Sequence, residues 1–354
     1  MTSSIPIYKA YMPSLESVNP YLEKMHQSQI FSNNGPLVSE LEARVAQTMG
    51  LLKENVCTVS NATLALMGAV QTSSIAKLRP KLELEIPSWT FSATVLAALQ
   101  AGASVKFSDI DSQHRSLSYQ SPNSIEVLPF GSGFRETSSF LIDGAASFDA
   151  ALSAKHVLND SQGLVISLHA TKSLPAGEGG LFISRDGQWV NRMRSWCSFG
   201  FERGERQSSR LGLNAKMPEV SAAYALAALD QWPEHRRRLS KLRGTYLEEC
   251  RRQNIEVAAP SAQELANPYF LIEMEPEEKS KFVNSLRSYG IETRDWWGKG
   301  AHAMPAFQDI PRGPMPVTNQ KASTTVGIPF WAGIDAHDLF AAIEGAMREV
   351  RSKF

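Results

Sequence analysis

The residue best suited to covalent chemistry is Lys172, in the segment SLHATK at residues 167–172. An apolar run at 164–166 predicts a buried strand before it, and the glycines of 177–180 predict a turn after it. A lysine in this position is partly shielded from water, which disfavours the charged form of an amine. Since a neutral amine attacks carbonyl groups, Lys172 is a candidate Schiff-base nucleophile. An ordinary surface lysine is the alternative, but the rest of the chain favours the first interpretation.

Three further features suited to ligand binding also follow predicted strands. Small polar residues at 60–63 begin a predicted helix whose free N–H groups attract an anion, and Thr63 adds a hydroxyl donor. Simple capping by Asn61 or Thr63 is the alternative and is the commoner role of such residues. An aromatic residue, Phe91, follows the strand that ends at residue 87, and a carboxylate, Asp143, ends another.

The elements that must position these side chains predict an α/β fold. Short apolar segments alternate with loops and helices, as is typical of a mostly parallel sheet flanked by helices. The predicted strands are 57–59, 84–87, 105–107, 127–129, 140–142 and 164–166. Ligands of such sheets bind beyond the carboxyl ends of the strands. We therefore expect Thr63, Phe91, Asp143 and Lys172 to surround one site.

The pattern of the chain predicts three parts: an N-terminal arm (1–30), a large domain (31–235) and a smaller C-terminal α+β domain (236–354). The arm contains a short helix near 21–29, and a turn-rich loop at 31–36 leads into a helix over 37–49. A long helix over 218–232 is expected to end at Pro233, because proline disrupts helix interiors. The last part is predicted to contain a helix to about 253, a strand at 269–274, and helices at 277–288 and 335–354.

A basic run, residues 235–238 with Lys241 and Arg243, follows Pro233. It is compatible with a nucleic-acid surface, but such runs are more often the solvated face of a helix, and we favour that interpretation. Lys and Arg number 36 and so do Asp and Glu, which gives a net charge of zero. This balance argues against nucleic acid or an anionic membrane surface as the main partner.

Composition indicates a globular protein, since charged residues make up 20% and apolar residues 43% of the chain. No apolar run reaches the roughly 18 residues of a membrane span, and residues 1–6 show no signal-peptide pattern. The cysteines, Cys57, Cys197 and Cys250, are odd in number and form no paired metal motif. We therefore expect no metal, and a reduced cytoplasm is the simplest setting.

Pyridoxal phosphate needs the four features that the strands are expected to bring together. Its phosphate suits a helix N-terminus, its ring stacks on an aromatic face, its pyridine nitrogen needs a carboxylate, and its aldehyde needs a lysine. Each feature alone is a weak indication. Together they predict an enzyme that uses this cofactor.

The sequence also resembles the DegT-type nucleotide-sugar aminotransferases, a branch of the fold-type I pyridoxal-phosphate enzymes. The resemblance covers most of the chain, and the lysine segment with its glycine tail is its most specific part. The residues that carry it are NNGP (33–36), NATLAL (61–66), PSWTF (87–91), DGAA (143–146), SLHATK (167–172), GEGG (177–180) and GLN (212–214), with Glu219, Ala222 and Ala223.

The resemblance implies a role for each site residue. Lys172 would bond the cofactor covalently, and Asp143 would pair with its pyridine nitrogen. Phe91 would stack on the ring, while Trp89 is more plausibly packing. The phosphate would be held by Ala62, Thr63 and Ser167, together with Asn214 of a neighbouring subunit. That last contact implies a homodimer with a shared active site.

The sequence departs from the family pattern at several positions. Ala62 stands where glycine is frequent, which is a mild change if only the backbone N–H is used. Ala146 stands where glutamine or histidine contacts the ring oxygen of the cofactor, and alanine cannot make that contact. Ala215 and Lys216 replace the usual Tyr-Arg after Asn214, which leaves the local packing there open. A branch with histidine in place of the lysine is a dehydratase, and Lys172 argues against it.

The resemblance implies amino transfer from glutamate to a nucleotide-linked keto-deoxysugar, with dTDP-4-keto-6-deoxyhexose as the favoured acceptor, for surface polysaccharide or glycoside biosynthesis. A 3-keto-sugar, another fold-type I enzyme acting on amino acids, and a non-catalytic cofactor-binding regulator are the alternatives. Cations for a nucleotide diphosphate would come from Arg203, Arg206 and Arg210, unless that loop is merely solvated. Residues 294–297 with Lys299 and His302 either shape the substrate pocket or pack between domains.

Overall fold

The computed structural model of the chain describes residues 4–75, 82–202 and 205–351. Its first helices are α1 (Leu15–Ser28) and α2 (Pro36–Thr48), and Asn33 and Asn34 in the turn between them have positive φ. The predicted loop at 31–36 and helix over 37–49 are confirmed. Helix α1 begins earlier than predicted because Ser14 caps it by accepting a hydrogen bond from Ser17 N, so that Pro20 falls inside the helix.

The central sheet consists of seven strands in the described residues, in the order β1-β7-β6-β5-β4, continued by the pair β2-β3 through a parallel bridge between Glu85 and Ser124. Strands β4, β5 and β6 run parallel to one another, whereas β7 is antiparallel to both β1 and β6. The expected mostly parallel sheet is therefore confirmed. The strands are β1 (Val56–Val59), β2 (Glu83–Pro87), β3 (Ser104–Ser108), β4 (Ile125–Val127), β5 (Leu141–Asp143), β6 (Gly163–Ser167) and β7 (Gly180–Ser184).

Helices cover both faces of this sheet, as its buried strands require. In β6, Leu164 and Ile166 join the hydrophobic cluster that contains α2, while Val165 joins the cluster on the other face. The second cluster contains residues of α3 (Ala62–Thr72), α4 (Ser92–Gln100) and α7 (Gly187–Cys197). Two short helices, α5 (Phe148–Ala151) and α6 (Ala154–Val157), precede α7 in the chain. The carboxyl ends of the parallel strands β4, β5 and β6 border a cavity, which is lined by Val127, Asp143 and Ser167.

Helix α8 (Glu219–Arg252) corrects the prediction that Pro233 ends a helix, because it runs 34 residues with this proline inside it. Proline removes one backbone hydrogen bond of the helix, but the burial of apolar side chains before and after Pro233 outweighs that loss. Trp232 is 4% and Leu239 2% exposed, and α8 packs on both α1 and α2. The predicted domain boundary at 235 falls inside this helix, and the three-part division stays a prediction.

The basic run on α8 has two different environments. Arg237 and Arg238 are exposed and pair with Glu234, as expected of a solvated face. Arg243 is only 2% exposed and donates to the carbonyl oxygens of Ser261 and Tyr269. The expectation of a solvated face is therefore wrong for Arg243 and for His235, which is 6% exposed. The Arg243 guanidinium supplies the hydrogen-bond donors that these carbonyl oxygens would otherwise lack.

The C-terminal part is α+β, as predicted. Its antiparallel sheet has the order β10-β9-β8, and the predicted strand at 269–274 and helix at 277–288 are confirmed. The tail helix is confirmed over 336–351, and residues 352–354 of that prediction lie outside the described residues. The elements are β8 (Glu256–Val257), α9 (Ala259–Ala262), β9 (Phe270–Glu273), α10 (Pro276–Ser288), α11 (Pro316–Thr324), β10 (Thr325–Ile328) and α12 (Ala336–Arg351).

The N-terminal arm lies on this C-terminal part. Ile5 N donates to Gly290 O at 2.9 Å, and Glu292 N donates to Ile5 O at 3.0 Å. Trp331 Nε1 donates to Pro6 O at 3.1 Å. These contacts bring Tyr8 to the cavity described below, which it lines.

Within residues 4–75, 82–202 and 205–351, no helix is both long and apolar enough to cross a membrane. Across the same ranges, no group of three or more His, Cys, Asp or Glu side chains is arranged to hold a metal ion.

Candidate functional site

A cavity of about 1030 Å³ lies at the carboxyl ends of the parallel strands. Its walls come from the start of α3, the ends of β4, β5 and β6, the arm, and the segment 294–305. The cavity brings together six of the seven predicted cofactor-binding residues, which are Ala62, Thr63, Phe91, Asp143, Ser167 and Lys172.

Lys172 reaches the cavity from the loop that follows β6. It is half-buried, and its Nζ donates a hydrogen bond of 2.7 Å to the hydroxyl of Tyr269. The loop folds back on itself, since Ala176 N donates to Leu168 O and Ala170 N donates to Gly177 O. Gly177 has a φ of +82°, which favours glycine at that turn. The local sequence therefore fixes the amine at the end of the sheet.

Asp143, the last residue of β5, is a buried carboxylate that lines the same cavity. Its Oδ2 accepts from Thr94 Oγ1 at 2.6 Å, and its Oδ1 accepts from Ala145 N at 3.1 Å. Burial raises the pKa of the Asp143 carboxyl, while the hydrogen bonds from Thr94 and Ala145 and the charge of Lys172 act in the opposite direction. A cation in the cavity would stabilise the ionised form.

The start of α3 offers backbone donors to an anion. Asn61 caps the helix by accepting from Leu64 N at 2.9 Å, so the capping alternative is confirmed for Asn61. Ala62 and Thr63 occupy the first two helical positions, where N–H groups have no acceptor within the helix. A Cβ on Gly180 would lie 2.7 Å from Ala62 N, so glycine in β7 is needed for this close approach. Capping and an available anion site therefore coexist.

The aromatic residues Trp89 and Phe91 have different environments, and packing is confirmed for Trp89. Trp89 is 2% exposed and packs at 5.5 Å, edge to face, on Trp297. Phe91 precedes α4 and is 59% exposed at the cavity, an unusual position for a phenylalanine. Its ring is therefore available to stack on a ligand.

The loop around residues 294–300 serves as both pocket wall and packing. Arg294, Trp296, Trp297 and Lys299 all line the cavity. Trp297 also stacks on Phe130, with ring centroids 4.1 Å apart, so the packing interpretation holds as well. His302 lies behind the wall, where its Nδ1 is hydrogen-bonded to Ser88 Oγ.

Some predicted residues lie elsewhere. Asn214 does not line the cavity of its own chain, and its Oδ1 accepts from Lys216 Nζ at 2.5 Å. Arg206 and Arg210 are exposed outside the cavity, and Arg210 pairs with Glu202 at 2.8 Å. Within one chain, the solvated-loop interpretation therefore holds for Arg206 and Arg210, and Arg203 lies outside the described residues.

Sequence reasoning missed Thr94, Tyr269 and Tyr8. Thr94 forms a chain of hydroxyls with Thr90, at 2.8 Å, that ends on Asp143. It lies one helical turn after Thr90, and this spacing was an available signal. Tyr8 and Tyr269 come from distant segments that only the tertiary fold brings to the cavity, where Tyr269 contacts Lys172.

The residues present fit pyridoxal phosphate. The donors at Ala62 and Thr63 suit its phosphate, and the exposed ring of Phe91 suits its pyridine face. The buried carboxyl of Asp143, whose pKa is raised by burial, gains from the cationic ring nitrogen that this cofactor would bring. Lys172 is the amine that its aldehyde requires.

Comparison with known proteins gives a consistent result. The family profile described as the DegT/DnrJ/EryC1/StrS aminotransferase family matches residues 15–125 and 136–345. "Protein MT3510" of Mycobacterium tuberculosis is 28% identical, over 99% of this chain and 91% of that protein. The "dTDP-4-amino-4,6-dideoxy-D-glucose transaminase" of Shigella dysenteriae is 25% identical, over 99% of this chain and 100% of its own length.

Among solved structures, DesI in the presence of its TDP-sugar product superposes with a TM-score of 0.86. It is 24% identical and covers 100% of this chain and 95% of its own, which shows the shared fold. The profile match spans most of the chain, and the fold is that of fold-type I enzymes. The chain therefore belongs to the DegT/DnrJ/EryC1/StrS aminotransferase family and is an aminotransferase whose cofactor is pyridoxal phosphate.

Proposed function

We propose that the enzyme transfers the amino group of glutamate to a nucleotide-linked keto-deoxysugar, most specifically dTDP-4-keto-6-deoxyhexose. The observation that carries this proposal is a single cavity with two kinds of wall. Lys172 and Asp143 suit amino transfer, whereas Arg294 and Lys299 beside Trp296 suit a diphosphate and flat rings. A volume of about 1030 Å³ has room for more than a cofactor and a small keto acid.

In this proposal the residues of the site act as a unit. When bound, pyridoxal phosphate takes up the electron pair released at the reacting carbon. Lys172 Nζ accepts the proton from the α-carbon of the amino donor, and in the second half of the reaction it delivers a proton to the former keto carbon of the sugar. Asp143 stabilises the positive charge on the ring nitrogen.

Binding roles follow from position. The Ala62 and Thr63 amides, with the Ser167 hydroxyl, hold the phosphate at the helix start. Phe91 covers the ring face and excludes water from the reacting atoms. Thr94 orients the Asp143 carboxylate through its 2.6 Å hydrogen bond.

We further propose that two subunits share each active site. Asn214 lies outside its own cavity, next to a surface on which Phe199, Leu211 and Leu213 are 45%, 93% and 40% exposed. Apolar side chains so exposed favour an interface, which would carry Asn214 to the phosphate of the partner. Mixing inactive Lys172→Ala subunits with weakened Asn214→Ala subunits should restore activity, because one site of each mixed dimer is then intact. No restoration would assign Asn214 to its own subunit or to no site.

We place this reaction in the cytoplasm. Its product would be an aminodeoxysugar used to build surface polysaccharides, such as O-antigen, or glycosides. The described cysteines Cys57, Cys197 and Cys250 are buried and free, as a reduced compartment allows.

The decisive experiment is the visible absorption spectrum of the purified protein before and after glutamate is added. The yellow band of the lysine-bound cofactor should bleach, and a panel of 3-keto and 4-keto nucleotide sugars should identify the acceptor by restoring it. A band restored only by simple keto acids would favour an amino-acid aminotransferase. A band that ignores glutamate would overturn the proposed donor.

A further inference from the structure

The hydroxyl of Tyr269 is the polar group hydrogen-bonded to the reactive amine. Lys172 Nζ donates to it at 2.7 Å, and Nζ also lies 5.2 Å from the centroid of the Tyr269 ring. Because Nζ is the donor, the hydroxyl keeps its own hydrogen for another acceptor.

Several contacts hold Tyr269 in place. Its carbonyl accepts from the buried Arg243 at 2.8 Å, and its amide donates to Asn267 Oδ1 at 3.3 Å. Its ring packs edge-on against Trp296 at 5.0 Å and Phe130 at 6.0 Å. These contacts fix the backbone and the ring of Tyr269, so its hydroxyl is positioned before any ligand binds.

The chemistry of pyridoxal phosphate indicates what this hydroxyl would meet. The phenolic oxygen of the cofactor is on the ring carbon next to the one that carries the aldehyde. A group hydrogen-bonded to the attached lysine nitrogen therefore lies beside that oxygen. Ala146, which also lines the cavity, has no polar side-chain atom to offer.

We propose that Tyr269 is a catalytic residue whose hydroxyl donates to the ring oxygen of the cofactor, replacing a polar side chain absent at Ala146. The proposal rests on the proposed role of Lys172. The donated hydrogen bond draws electron density from the ring oxygen and so weakens the hold of that oxygen on the proton of the lysine–cofactor linkage. It thereby favours the unprotonated linkage.

Other charged or titratable groups share the cavity and act on the same titration. Burial and the neighbouring Tyr269 raise the pKa of Tyr8, so this phenol stays neutral near pH 7. The remaining groups around the cavity are Asp143, His169, Lys172, Glu178, Arg294, Asp295 and Lys299. These side chains are all retained in Tyr269→Phe, and Tyr8 loses one of the two causes of its raised pKa but keeps the larger one, burial.

The test is the pH titration of the absorption band in Tyr269→Phe holoenzyme. Phenylalanine keeps the ring packing, so the fold and the covalent cofactor should be retained. The midpoint should rise by about one unit, since a hydrogen bond to a charged oxygen is of that size. Tyr119→Phe, a tyrosine outside the cavity, should leave the midpoint unchanged. Adding Ala146→Gln to Tyr269→Phe should return the midpoint toward the wild-type value.

The outcome separates two failures. An unchanged or lowered midpoint in Tyr269→Phe, with the cofactor still trapped on the chain by borohydride, would overturn the role of Tyr269 alone. Trapping of the cofactor by Lys172→Ala would instead overturn the assignment of Lys172, on which the proposed function depends.

Discussion

The two walls of the cavity are built in different ways. The strand-end wall comes from residues that end strands, begin α3 or lie in the loop after β6. Its members are Ala62, Thr63, Asp143, Ser167 and Lys172. The loop wall, made of Tyr269, Arg294, Trp296, Trp297 and Lys299, depends on contacts between distant segments.

In the proposed function, the strand-end wall carries the reacting groups, whereas the loop wall, apart from Tyr269, recognises the substrate. The backbone of the sheet fixes the positions of side chains at strand ends. Reacting groups need such fixed positions whatever the substrate is. The loop wall is held by side chains such as Arg243 and by packing of Trp297 on Phe130. Such a wall can change with the substrate without disturbing the sheet.

The largest effect is expected for Lys172→Ala, which removes the amine from the strand-end wall. Amination should be abolished, while the thermal unfolding midpoint stays close to that of the wild type because Lys172 is only half-buried. Lys299→Ala, in the loop wall, is the matched control and should keep the yellow band. Amination that persists in Lys172→Ala would place the reactive amine elsewhere.

Asp143→Asn should lower kcat/KM by about 10²–10³, because the ring nitrogen loses its charged partner. The cofactor-free variant should be no less stable than the wild type. Burial raises the folded-state pKa of this carboxyl above its ordinary 3.8, so ionisation opposes folding as pH rises past that value. The stability advantage of asparagine should therefore grow from pH 4 upward in urea titrations. An advantage that shrinks with pH would contradict this sign.

Arg243→Ala should destabilise the protein by about 2–4 kcal/mol, because several buried carbonyl oxygens lose their donor. Burial lowers the pKa of Arg243 to about 10, which leaves it charged at neutral pH. Arg237→Ala, on the exposed face of the same helix, should change stability by less than about 0.5 kcal/mol. Equal losses in urea unfolding would mean that the loop wall does not depend on Arg243.

The smallest effect is expected for Arg294→Ala. It should raise KM for the nucleotide sugar about tenfold, since a charge-assisted phosphate contact has roughly this value. The half-reaction with glutamate should keep its rate. Arg237→Ala, on the exposed face of α8, should alter neither quantity. A slower glutamate half-reaction in Arg294→Ala would mean that the loop wall also takes part in the reaction with the amino donor, which would contradict the proposed division.

The sequence by itself determined the strand-end wall. Apolar periodicity placed the strands, and the ends of parallel strands meet at one edge, so Asp143 and Lys172 had to lie near each other. The glycines at 177–180 and Asn61 carried local information on the turn and the helix start. Each of these signals lies within a few neighbouring residues, so it could be interpreted without knowledge of the fold.

Only the tertiary structure decided the rest. Proline disfavours a helix interior, and the sequence shows this local preference at Pro233. Helix α8 nevertheless continues through Pro233, because its packing on α1 and α2 outweighs that preference. Arg243, in a run that looks solvated, is buried because the carbonyl oxygens of 261–269 need its donors. Tyr269 meets Lys172 across 97 residues, and no local pattern encodes a contact at that separation.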